Sequence, residues 1–402
     1  YLLLTGSGKE TIELPKLLKS PISIMESMRL SYIQIINDRN MANNNINLQN
    51  AKDLKKSFAG RLHNARLMRG LSMQQLCDMM GNIITKQTLS RYENGVMLPK
   101  SDIVIALCDA LEITPDYLFS YKTSSPRNIR YGKLQGLSKK EENAIACIIE
   151  DAIERTGAIE EICGIEHSFN SVLVEHQVKT LFDVLQGASM LRQAWGMGTA
   201  AITNVMNLLE SKGVIIANID ASDAFTSLHA ILNDSIPVIA INSNLNAESF
   251  RFAALNELAH AILCFDQSID NKKKEHFCSV FANEILLPHD VFFSVVGGKR
   301  NGIALMELKY LQNEYGISVD VLMAKAKYLG VISSRHYSDY CKNLGSADST
   351  KKSESGSITK EKITKFECMV YRALASGIIT QSKAAALLNT TTVDVVRNFV
   401  IV

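Results

Sequence analysis

The sequence predicts a multidomain chain: an all-α N-terminal domain, then an α+β domain, then a short α-helical C-terminal unit. Three observations carry this. Between Phe58 and Phe119, short apolar stripes at helical spacing alternate with Gly stops and Ser or Thr caps. Between Ser189 and Phe265, a helical pattern gives way to three β-branched runs and then returns to helix. From Leu344, the low-complexity stretch "LGSADSTKKSESGSITKEK" separates a last helical pattern from the rest.

The 402 residues suffice for two or three domains, and a hydrophobic content of 47% supports sizeable cores. Lys and Arg total 43 against 41 Asp and Glu, so only local clusters can point to nucleic acid. The eight cysteines are scattered singly with no Cys-x-x-Cys pair, which suits a reducing cytoplasm. No run of 18 apolar residues occurs, so no membrane partner is expected. Residues 1–56 are expected to be a leader, either disordered or non-native; Met41 is the first methionine followed by a polar lead and a readable module. The expected organisation continues with a compact helical unit at 57–120, a linker and helical spacer at 121–185, the α+β domain at 186–342, a flexible linker at 343–362 and a helical unit at 363–402.

In the first unit, Phe58, Leu62, Ala65 and Leu67 form one apolar stripe, which Gly70 ends. Ser72 caps a second helix whose buried side is expected at Leu76, Met79 and Met80. Gly81 breaks it, and Thr85 caps a third helix through Tyr92, with Leu89 facing inward. Ser101 is expected to cap a fourth helix, and Pro115 opens a last turn. This order, with Gly70-Leu71-Ser72, Gly81, Thr85, the run Leu89 to Gly95 and Pro99, resembles the lambda-repressor-like, XRE-type helix-turn-helix family. The resemblance implies a DNA-binding domain whose third helix enters the major groove. Lys86, Gln87 and Arg91 would then meet base edges, since Lys and Arg suit guanine O6/N7 and Gln suits adenine N6/N7. Thr85 and Asn94 would bind phosphates, and Arg66 and Arg69 would add charge toward the backbone. Met73 stands where the family usually carries Gln, followed by Gln74.

In the second domain, Ile202 to Lys212 is expected as a helix ending at Gly213. Strands are expected at Val214–Ile219, "FTSLHAIL" and "IPVIAIN", the last two as a hairpin. Asn246 then caps the helix "AESFRFAALNELAHAI". The words "LRQAWGMG", "LLESKGV", "PVIAINSNL", "RFAALNELAH" and "FANEILLP" resemble the ImmA/IrrE family of zincin-like metallopeptidases. That family implies a zinc ion held by both histidines of His-Glu-x-x-His and a downstream glutamate, with the motif glutamate as base. Here those positions are Asn256, Glu257 as the base if active, His260, and Glu275 six residues before Phe281. Residues i and i+4 share a helix face, so two imidazoles there would pinch one metal. An amide is a poor zinc ligand beside imidazole, so zinc is expected to be absent or weakly bound. His276, His289 and Cys264 are the other candidate ligands.

These readings imply a transcriptional regulator that binds double-stranded DNA as a homodimer. Its peptidase-like domain would sense a small-molecule or protein effector, or help dimerise. The alternatives are an active zinc endopeptidase that cleaves a repressor or itself, and an antitoxin-like partner binder. The tail "VYRALASGIITQSKAAALLNTTTVDVVRNF" resembles a short helix-turn-helix-like cap in which packing is expected at Ala384, Ala385, Leu387 and Leu388.

Overall fold

The computed structural model describes residues 47–119, 128–132, 137–346 and 358–399, with side chains over 53–119, 128–132, 137–342 and 358–399. Most of the expected leader (1–46), the last residue of the first helical unit (120), parts of the two expected linkers (121–127, 133–136 and 347–357) and residues 400–402 lie outside the described residues.

The N-terminal domain is five helices: α1 (Asn47–Met68), α2 (Met73–Met79), α3 (Lys86–Glu93), α4 (Ser101–Leu111) and α5 (Pro115–Phe119). α1 begins at Asn47, inside the segment expected to be leader. Ser72 and Gln75 close a reciprocal capping box at the start of α2. The α2–α3 turn needs two left-handed residues, Gly81 (φ 67°) and Asn82 (φ 58°); glycine and asparagine tolerate that region best. Phe58, Leu62, Leu76, Leu89, Leu107 and Leu118 are fully buried and form the core. Two expectations fail here. Met79 is 54% exposed, and Cys77 takes the inward position on α2. Lys100, not Ser101, is the N-cap of α4, and it makes no side-chain cap bond.

The α+β domain is built on a four-stranded sheet in the order β1-β4-β5-β3. Its strands are β1 (Ile129–Tyr131), β3 (Ile215–Ile219), β4 (Ser227–Leu232) and β5 (Ile236–Asn242). β1–β4 and β4–β5 are antiparallel, and β3–β5 is parallel. Ahead of β3 come α6 (Lys139–Cys163), β2 (Gln177–Val178), α7 (Leu181–Ala194) and α8 (Val205–Ser211). The three expected strands are present. The fourth, β1, comes from the segment expected to be linker, and α6, expected to be spacer, covers one face of the sheet. Strand alternation explains that cover: Leu228, Ala230, Val238 and Ala240 point to one side and meet Ile145, Ile149 and Ile153 of α6.

The opposite side of the sheet, with Ile216, Ile239 and Ile241, packs on α9 (Ala247–Ile262). Behind α9 lie α7 and α10 (Asn271–Leu286), whose Phe281 is fully buried. β6 (Cys264–Phe265) pairs with β2, and α11 (His289–Val296), α12 (Leu305–Tyr315), α13 (Val319–Tyr328) and α14 (Ser334–Ser346) complete the domain. The C-terminal unit is α15 (Lys365–Ala375), α16 (Gln381–Leu388) and α17 (Thr392–Asn398). Its Met369, Val370, Ala384, Ala385 and Leu387 pack together with Ile159 of α6. Residues 358–362, expected as part of a flexible linker, are held in place. Glu361 accepts from the Met206 N–H at 3.0 Å and lies 3.4 Å from buried Arg251, while Lys360 donates to the carbonyls of Ser243 and Leu245.

Candidate functional site

Two surfaces hold the candidate residues, and the first is α3. Its sequence, KQTLSRYE, buries Leu89 and Tyr92 and leaves Lys86, Gln87 and Arg91 exposed. Lys86 and Gln87 begin the helix, and Arg91 follows Gln87 by four residues, on the same face. Thr85 and Asn94 are exposed at the two ends of α3, each with a local bond. The Thr85 hydroxyl accepts the Thr88 N–H at 3.2 Å, and the Asn94 amide donates to the Ser90 carbonyl at 2.7 Å. Both therefore cap the helix.

Arg66 departs from its expected place at the DNA backbone. It is buried, and its Nε and Nη2 donate to the two oxygens of Glu93 at 2.6 and 2.8 Å. Its Nη1 donates to the Leu71 carbonyl at 2.7 Å, so it ties α1 to the end of α3 and to the α1–α2 turn. Burial alone would raise the Glu93 carboxyl, but the bonds from Arg66 and His63 hold it below its ordinary value. Arg69 is more exposed and pairs with Glu112. Gln74 bonds Asp78 at 3.0 Å, and Met73 is partly buried against the core.

The second surface is a cleft of about 730 Å³ between β4, β1 and the start of α10. α9 brings Glu257 and His260 to its floor. Glu257 accepts from the Ser227 hydroxyl at 2.8 Å and from His229 Nδ1 at 2.8 Å. Burial would raise this carboxyl, yet the bonds from His229 and Ser227 and the nearby His260 hold it low. The His229 and His260 rings stack in parallel, with centroids 5.3 Å apart. His260 Nε2 meets Glu275 Oε2 at 3.1 Å, so those two expected site residues come together. Asn256 does not join them: its Oδ1 accepts from the Ser279 hydroxyl of α10 at 3.3 Å.

His229 and Ser227 were missed in the sequence. Their signal is the alternation in "SLHAIL", which puts positions 227 and 229 on one strand face, toward α9. None of the other candidate ligands enters the cleft. His276 is exposed beside Phe277, His289 bonds Glu284, and the Cys264 thiol bonds the Val174 carbonyl.

Comparison with known proteins assigns a family to each of the two domains. A helix-turn-helix family model matches residues 62–118. The cryptic phage CTXphi transcriptional repressor RstR of Vibrio cholerae serotype O1 (strain ATCC 39315 / El Tor Inaba N16961) is 30% identical over 98 residues. That alignment covers 24% of this chain and 86% of the relative. The chain belongs to the XRE-type helix-turn-helix family. Its XRE-type domain is a DNA-binding domain of a transcriptional regulator. In the same chain a model described as the IrrE N-terminal-like domain matches residues 210–327, from the end of α8 to α13. No solved structure matches significantly.

The resemblance to ImmA/IrrE peptidases would place a zinc ion at this cleft. At the position expected to supply the first ligand, the Asn256 amide oxygen is engaged by the Ser279 hydroxyl. Among the described residues, no three His, Cys, Asp or Glu side chains converge as a metal would require. Glu257 is bonded by two donors, a different arrangement from a base held free for a metal-bound water.

Proposed function

We propose that this protein is a sequence-specific transcriptional regulator of the repressor type. α3 reads an operator through Lys86, Gln87 and Arg91, and the IrrE-like domain acts without hydrolysis, as a sensor or dimerisation module. One observation carries the reading: the three side chains suited to base edges are exposed on a helix whose opposite face, Leu89 and Tyr92, is buried. The repressor named among the relatives supports repression as the mode. Thr85 and Asn94 fix the helix ends, from which their polar atoms also face phosphates. A homodimer would place two reading helices one turn of DNA apart, roughly 34–36 Å. Eight free cysteines suit a cytoplasmic protein, and no single described helix is long and apolar enough to cross a membrane.

Against peptidase activity stand the engaged Asn256 amide and the two donors on Glu257. The test is footprinting on the DNA upstream of the protein's own gene. The wild-type chain should protect a discrete two-fold site. The combined change Lys86→Ala, Gln87→Ala and Arg91→Ala should abolish that protection while leaving the circular-dichroism spectrum unchanged. A triple variant that still protects the same site would refute the reading.

A further inference from the structure

Arg66 and Arg69, the two cations expected at the DNA backbone, are both engaged by carboxylates. Arg66 is buried on Glu93, and Arg69 pairs with Glu112. At the start of α2 the exposed side chains of Ser72, Gln74 and Gln75 are polar but uncharged. In a helix-turn-helix the first helix crosses the DNA backbone while the second enters the groove, and here those helices are α2 and α3. The crossing therefore lacks a free cation of its own domain at the α2 start.

α6 brings one there. It runs antiparallel to α1: Arg61 in α1 meets Glu154, and Gly70, just past the end of α1, meets Lys140 in the first turn of α6. A Cβ on Gly70 would stand 3.8 Å from the Lys140 ε-carbon, so the lysine stem lies along the turn that leads into α2. Lys140 is exposed, and among the described residues no carboxylate pairs with it. Its acidic neighbours are engaged within their own turn. Glu141 accepts from the Ser138 N–H and hydroxyl at 2.9 and 2.7 Å, and Glu142 pairs with Lys139 at 3.1 Å.

We propose that Lys140 contacts a DNA phosphate beside α2, so that a helix outside the XRE-type domain takes part in holding the operator. The proposal deepens the regulator reading and rests on it. A lysine ammonium on a phosphate acts as a point charge, so it adds affinity and salt dependence without base preference. α6 also covers the sheet through Ile145, Ile149 and Ile153, and its Ile159 packs into the C-terminal unit. The contribution of Lys140 thus depends on how α6 sits against α1, separately from the affinity of the XRE-type domain itself. That dependence gives the IrrE-like domain a direct hold on the operator complex.

The test uses the full chain, a duplex carrying the footprinted operator and a scrambled duplex of equal length. Affinity is measured by fluorescence anisotropy over a series of potassium chloride concentrations. Lys140→Ala should weaken binding to both duplexes by the same factor and reduce the slope of log affinity against log salt by about one per chain. Lys140→Arg should keep the wild-type slope. Lys299→Ala removes the same charge from an exposed position between α11 and α12 and should leave the slope unchanged. A wild-type slope in Lys140→Ala, or an equal fall in Lys299→Ala, would overturn the proposal. The regulator reading fails by a different result: the triple α3 variant would still prefer the operator to the scrambled duplex, a preference that Lys140→Ala should leave intact.

Discussion

Gln87 is a side chain whose role turns on its surroundings at the start of α3. It is exposed there, with Lys86 before it and Arg91 one turn on. Its amide is the natural partner of adenine N6/N7, so Gln87→Ala should relax preference at one base pair of the operator by about 1–3 kcal/mol. Competition shifts with operators altered one pair at a time will read that directly. Glu93 behaves differently because it is buried against Arg66. Glu93→Gln leaves the guanidinium uncompensated and should cost about 3 kcal/mol in urea unfolding. Glu93 is held below its ordinary 4.5, so the stability it contributes is present above that value. It is lost as pH falls through the lowered one, and the Glu93→Gln variant should lose that part of the acid dependence. Lys86, Gln87 and Arg91 were legible as an exposed face because α3 repeats its apolar residues at helical spacing. Arg66 was misread for a physical reason: an arginine near a helix end suits either solvent or a buried carboxylate, and only the arrival of Glu93, 27 residues later, decides it.

Each secondary-structure element shows why its ends matter more than its middle. The Thr85 hydroxyl satisfies a backbone donor in the first turn of α3, so Thr85→Ala should destabilise the XRE-type domain by about 1 kcal/mol in thermal unfolding. It should also weaken DNA binding more than that loss alone, because the residues proposed to read the operator start at the next position. On α9 the decisive contact is sideways, between Asn256 and Ser279 of α10. We expect wild-type protein to carry far less than one zinc per chain by metal analysis. Asn256→His should raise zinc affinity at least ten-fold by supplying the missing imidazole beside His260 and Glu275. The helix α9 and its Asn246 cap were legible from spacing, while the meeting of His260 with Glu275 was expected only from the family resemblance. His229 was not, because its partner Glu257 lies 28 residues on, across a sheet–helix interface that no local period encodes. β1 was hidden for a related reason: it lies in a stretch of turn formers and gains its strand conformation from the free edge of β4.

At the scale of the whole molecule, the XRE-type domain packs on α6 through α1, and a buried cation sits in that contact. Arg61 is buried, pairs with Glu154 of α6 and lies over the Tyr117 ring at 5.0 Å. Arg61→Ala should uncouple the two domains and split one calorimetric unfolding transition into two, with DNA affinity of the XRE-type domain retained. The C-terminal unit closes the assembly from the other side, since α16 rests against α5 and the segment before α15 runs across the sheet domain. Glu361 in that segment is the charge that faces Arg251 deep inside. A frameshift or stop codon that removes everything beyond position 346 would therefore strand a guanidinium within the interior. Such alleles should phenocopy a complete gene deletion, with the protein cleared by proteolysis, and should not release an autonomous, constantly bound DNA reader.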